Sequence, residues 1–98
     1  MAADIDPEGR EIAALFGAAD FNGARILEIG CGAGRLTRRY ASAARLVAAI
    51  DTDEDALASA RRATPEDLAR HVTFLRSGAV PLPFAGGVFE IVVFGWSL

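Results

Sequence analysis

Arg25-Ile26-Leu27-Glu28-Ile29-Gly30-Cys31-Gly32-Ala33-Gly34 is the stretch that decides how the rest of this chain is read. Its first five residues, apolar but for Arg25 and Glu28, predict a short strand. Three glycines then follow on alternate positions. Without Cβ atoms, the backbone there can take positive φ and let a ligand come close to the main chain. A helix predicted from about Arg35 turns its unpaired N–H groups and the positive end of its dipole toward the same place. Strand, bare loop and helix together make a cradle for a nucleoside-type ligand.

Working outward, Ile12, Leu15 and Phe16 recur at helical spacing within residues 8–18, behind a capping Asp6 and a first-turn Pro7. Asp20-Phe21-Asn22-Gly23 reads as a turn. Residues 35–43 are predicted as a helix, and 45–50 as a second apolar strand ending on Asp51. A third helix is expected to about Arg62, capped by Thr52 or Asp53, with acids at its start and Arg61 and Arg62 at its end. Thr64-Pro65 breaks it before one short helical turn. A strand over 71–76 and a Pro/Gly-rich connection over 78–87 lead to the apolar run Val88–Phe94, which has the profile of a central buried strand. Strands alternating with helices imply an α/β fold built of right-handed βαβ units around a parallel sheet. In such sheets the ligand lies beyond the carboxyl ends of the strands, where the strand order reverses. The glycine loop, Asp51, residues 77–79 and residues 95–98 all fall at that edge.

Composition narrows the function classes. The chain has 98 residues, room for a single domain over 1–98, and a net charge of −3, which argues against a general nucleic-acid surface. All basic residues are arginine. Arg35, Arg38 and Arg39 fall together on the helix after the loop and read chiefly as a solvated face, with anion contact the alternative. No run approaches the ~18 apolar residues of a membrane span, and no signal-peptide pattern opens the chain; a cytoplasmic location is expected. Cys31 is the only cysteine, which excludes an intrachain disulfide. It reads as a tightly packed small residue and not as a nucleophile, since no activating partner stands near it in sequence. The acidic run 51–55 is explained by helix-start chemistry, so no metal is assigned, and His71 reads as a surface residue.

The identity of the ligand turns on the residues around the loop. Gly30, Gly32 and Gly34 give G-x-G-x-G, with Arg35 where the third glycine of the dinucleotide pattern G-x-G-x-x-G would fall. Glu28 is a poor neighbour for a pyrophosphate and a good one for a cation. Asp51, 21 residues beyond Gly30, stands where a carboxylate accepts ribose hydroxyls. A ribose, little phosphate and positive charge describe S-adenosylmethionine (SAM).

The stretch Leu27–Leu36 with Asp51 and Thr52, followed by Val80-Pro-Leu-Pro-Phe-Ala-Gly-Gly-Val-Phe-Glu-Ile-Val-Val93, resembles the class I SAM-dependent methyltransferases. Within them it is most similar to the UbiE-like small-molecule type, and the likeness covers about residues 10–98. The resemblance implies a Rossmann-like three-layer sandwich with strand order 3-2-1-4, truncated relative to the family's seven-stranded sheet. It implies that Gly30, Cys31, Gly32 and Gly34 pass the methionine part over the main chain. Glu28 would help hold its ammonium end, directly or through water. Asp51 would take the ribose hydroxyls, Thr52 would border the adenine, and Gly78, Ala79 and Phe94 would complete the cofactor site. The family commonly has Gly-Asp-Ala where this chain has Ser77, Gly78 and Ala79, so the acid that meets the adenine amino group is missing. Glu90 stands where Asp is usual. No catalytic residue is assigned.

SAM as cofactor, S-adenosylhomocysteine as product and a small-molecule methyl acceptor follow from the resemblance, with neither membrane nor nucleic acid as partner. The same strand order leaves the Phe89–Phe94 strand on an open edge, a pairing hazard that a truncated product, a second copy or another chain would explain. The competing expectations are a non-catalytic Rossmann-like interaction module and a protein binding NAD or a flavin nucleotide.

Overall fold

The computed structural model of the chain describes residues 20–78 and 88–95. Four strands form one parallel sheet: β1 (Arg25–Ile29), β2 (Leu46–Asp51), β3 (Val72–Arg76) and β4 (Ile91–Phe94). Their order is β3-β2-β1-β4, the order implied by the resemblance. Helix α1 (Arg35–Tyr40) joins β1 to β2, while α2 (Glu54–Ala63) and the single turn α3 (Glu66–Ala69) join β2 to β3. The chain thus steps outward from β1 to β3 and returns to the other side of β1. The strand order therefore reverses at β1, the place at which ligands bind in sheets of this kind.

Burial follows position in the sheet. β1 and β2 have both neighbours, and Ile26, Leu27, Val47, Ala48, Ala49 and Ile50 are buried. β3 and β4 pair on one side only among the described residues, and bury chiefly Phe74 and Val93. Among the described residues β4 thus lies at the edge that the implied strand order gives it, and it lacks the burial that the apolar profile of Val88–Phe94 suggested. Only residues 91–94 pair, with Val92 49% and Phe94 52% exposed. An apolar run interrupted only by Glu90 does not distinguish a central strand from an edge, because strand order is settled by tertiary pairing. Glu90 secures this edge at its start. Its carboxylate accepts from the Arg25 main-chain N–H and from the Arg25 guanidinium, which holds the Glu90 carboxyl below its ordinary range.

The larger apolar cluster lies on one face, where Ile26, Val47, Ala49, Phe74 and Val93 meet Leu36 and Tyr40 of α1 and Leu57 and Ala60 of α2. Phe21 packs edge-on against Tyr40, ring centroids 5.1 Å apart, a favoured aromatic geometry. Leu27, Ala48 and Ile50 form a smaller cluster to which none of these helices contributes. The helix expected over 8–18 lies outside the described residues, so the layer it would supply is not among them. No helix of the described residues is long and apolar enough to cross a membrane.

Local chemistry explains the helix limits. Asp53 caps α2, its Oδ1 accepting from the N–H groups of Asp55 and Ala56 at 3.0 and 3.2 Å. Arg61 and Arg62 favour the helix end, and Leu57 and Ala60 face the core three residues apart. Helix α1 is shorter than the expected 35–43. After Tyr40 the Ala43 and Ala44 N–H groups bond back three residues, to Tyr40 and Ala41, and the chain turns into β2.

Candidate functional site

The glycine loop is tied to the end of β2. Gly30 and Cys31 both donate their N–H to the Ile50 carbonyl, at 2.9 and 3.0 Å. Gly32 donates to Asp51 Oδ2 at 2.8 Å. Arg38 reaches back from α1 to the Ala33 carbonyl at 2.7 Å, so this arginine latches the loop. All three loop glycines have positive φ, at 80°, 56° and 82°, a conformation other residues adopt only with strain.

The glycines also have neighbours of their own. A Cβ on Gly30 would lie 2.6 Å from the Gly95 carbonyl oxygen, so β1 and β4 close against each other just past their ends. A Cβ on Gly34 would lie 3.0 Å from Arg38 Nη1, 3.1 Å from Ala60 Cβ and 3.4 Å from Phe74. Close packing against helix and strand, assigned in the dinucleotide pattern to the residue at position 35, is thus done here by Gly34. Arg35 itself is exposed.

Asp51 ends β2 beside this loop. Besides Gly32 N–H on Oδ2, its Oδ1 accepts from Asp53 N–H at 2.9 Å. Each carboxylate oxygen has a further lone pair for a hydroxyl donor. Thr52, next to it, is exposed. The Asp51 carbonyl accepts from Ser77 N–H at 3.0 Å, which brings Ser77 and Gly78 to the same edge. Ser77 Oγ donates to the Gly78 carbonyl at 3.0 Å. Ala79 lies outside the described residues. Phe94 pairs with Ile29 in register at the far side of the loop.

Glu28 is fully buried, beneath the loop on the face that α1 covers. Its Oε1 accepts from Thr37 Oγ1 at 2.7 Å and from the Tyr40 hydroxyl at 2.6 Å. Oε2 faces the Gly95 backbone, where a Cβ would come within 2.7 Å of it. Burial and the Glu28 charge push the Tyr40 phenol well above its ordinary range. Burial, then the charges of Glu28 and Asp51, push the Cys31 thiol up to about 12. Cys31 is therefore a neutral, buried thiol with no nucleophilic character.

Thr37 and Tyr40 belong to the site although their sequence positions did not mark them for it, and Gly95, expected at this edge, closes against Glu28 and Gly30. The signal for the first two was present: polar residues at positions 37 and 40 lie one turn apart on a short helix that follows a strand acid. For Gly95 the signal was a glycine directly after an apolar strand.

A family model described as a methyltransferase domain matches residues 26–98. The chain belongs to the methyltransferase domain family. This methyltransferase domain is 30% identical over 82 residues to the demethylmenaquinone methyltransferase of Lactococcus lactis, covering 81% of this chain and 32% of that protein. It superposes on a SAM-dependent methyltransferase from Mesorhizobium loti with a TM-score of 0.76 and 26% identity, covering 92% of this chain and 40% of the other. Against the magnesium protoporphyrin IX methyltransferase of Synechocystis, solved with bound S-adenosylhomocysteine, the TM-score is 0.68 at 28% identity, over 85% and 37% of the two chains. The chain thus spans between about a third and two fifths of the length of these relatives. The shared architecture is that of the class I SAM-dependent methyltransferases.

Proposed function

We propose that this chain is the cofactor-binding part of a SAM-dependent methyltransferase whose acceptor is a small molecule. The observation that carries the reading is the 2.8 Å bond between Gly32 N–H and Asp51 Oδ2, which joins bare backbone and a carboxylate at the sheet's carboxyl edge. The donor set fits the cofactor: a carboxylate at the rim suits a ribose diol, and a buried acid beneath the loop suits a cationic ligand better than a phosphate. Asp51 accepts the ribose hydroxyls. Gly30, Cys31, Gly32 and Gly34 offer main chain to the methionine part, and Glu28 supplies negative charge below it. Thr52, Gly78 and Ala79 border the base, and Phe94 stands at the rim. When bound, the cofactor supplies an electrophilic methyl group on a positively charged sulfur. The chain's own part in the reaction is to position and orient that group, not to transfer protons. The same reading takes residues 1–98 as one cofactor domain in the cytoplasm, with a second copy or another chain covering β4.

Calorimetry with S-adenosylhomocysteine tests the proposal. Binding is expected, with NAD failing to compete, and Asp51→Ala should weaken it by at least about tenfold, the scale of hydrogen bonds to a charged group. Absence of both heat and thermal shift at millimolar ligand would refute the reading.

A further inference from the structure

β4 is a lightly secured strand. Among the described residues it pairs with β1 alone, over Ile91–Phe94. Of its four side chains only Val93 is buried, while Val92 and Phe94 stay about half exposed. A strand so short gains little from apolar contact, so its docking depends on how its two ends are held.

The amino end is held by a side chain. Glu90, just before β4, donates its N–H to the carbonyl of Arg25, the first residue of β1, at 2.9 Å. Its carboxylate accepts from the Arg25 main-chain N–H through Oε1 at 2.6 Å and from Arg25 Nε through Oε2 at 2.9 Å. The carboxylate thereby adds a bond to the β1–β4 pairing beyond the strand itself. Both side chains are close to half exposed, so the ion pair alone contributes little. The main-chain N–H on a charged acceptor supplies the directional hold.

The carboxyl end of the same strand borders the glycine loop. Gly95 donates its N–H to the Ile29 carbonyl at 2.9 Å. Its own carbonyl oxygen lies so near Gly30 that a Cβ there would come within 2.6 Å. Only four paired residues separate the two ends. Release at Glu90 therefore leaves Gly95 on a ladder too short to hold by itself.

We propose that Arg25 and Glu90 form a latch at the far end of β4 that keeps the Phe94–Gly95 end closed against the glycine loop. They are positioning residues for the ligand of that loop and touch no ligand themselves. The identity of that ligand rests on the cofactor reading; the latch rests on the bonds of β4. Docking of β4 and ligand binding then share one equilibrium, because the ligand favours the closed strand. A general structural role would stabilise the whole chain and not this strand in particular.

Amide hydrogen exchange on the full chain tests the latch, with two N–H groups as reporters. Gly95 reports the docking of β4. Val47, bonded to the His71 carbonyl at 2.7 Å, reports unfolding of the central sheet. In wild type Gly95 should be less protected than Val47. Glu90→Ala should lower protection at Gly95 by about tenfold and at Val47 by less than about twofold. Glu90→Gln, which keeps an acceptor for the Arg25 N–H, should fall between wild type and Glu90→Ala. Saturating S-adenosylhomocysteine should raise protection at Gly95. Equal protection of Gly95 and Val47 in wild type, or equal losses at both in the two variants, would overturn the latch, since β4 would then open only with the whole chain. Protection at Gly95 unmoved by a ligand that calorimetry shows to bind would overturn its link to the site. Failure of calorimetry to detect binding would instead overturn the cofactor reading, and exchange without ligand would still decide the latch.

Discussion

Gly23 and Gly30 both take positive φ, 68° and 80°, yet their surroundings differ. Around a Cβ at Gly23 there is nothing within 4 Å, while one at Gly30 would strike the Gly95 carbonyl. Gly23→Ala should therefore cost about 1 kcal/mol, the conformational penalty alone. Gly30→Ala adds a backbone clash that no side-chain rotation relieves, and should cost roughly 3 kcal/mol. Urea unfolding of the two variants measures the difference; similar midpoints would contradict the contact. Cys31, beside it, should resist iodoacetamide at pH 8 in the folded chain and react readily once unfolded, as intact mass will show. The spaced glycines were legible in the sequence as bare backbone. What each leaves room for was not, since Gly95 and Phe74 are brought there from distant positions.

At the level of the element, the α2 start illustrates what local sequence can decide. Thr52 and Asp53 were both reasonable caps by residue type. Asp53 takes the role because Asp51 Oδ1 holds the Asp53 N–H, and so sets the backbone from which that side chain turns back onto α2. Asp53→Ala should destabilise the chain by about 1 kcal/mol, read from the shift in the urea midpoint. Thr52→Ala should change it little. The first helix shows the converse. Two of its next three residues, Ala41 and Ala43, are strong helix formers, but the return to β2 ends it at Tyr40. Propensity yields to the position of the next strand.

Across the whole molecule, buried acidic protons tie stability to pH. Cys31 is raised from 9.0 to about 12, and Tyr40 is raised above 10.0. In the fold both groups keep their protons while the unfolded chain releases them, so the unfolded state binds fewer protons as pH rises. Their contribution is complete below pH 9 and is lost progressively as pH climbs toward 12. The urea midpoint should fall across that range, and Cys31→Ala should flatten the early part of the fall. A midpoint independent of pH would show that neither group is buried as described.

Local sequence was enough to dictate the alternation of strands and helices, the glycine loop, and the acid that ends β2. These depend on periodicity and on residues near one another in the chain. It also carried the family, because that signature is a short run of residues plus one acid at fixed distance. Packing between distant segments settled the rest: that residues 91–94 are the part of Val88–Phe94 that pairs with β1, that Gly34 and not the residue after it packs against α2 and β3, and that Glu28 answers to Thr37 and Tyr40. Each of those depends on which strand lies beside which, and on which side of β1 the helix returns. Periodicity does not encode that pairing. Burial and hydrogen bonding across the sheet do.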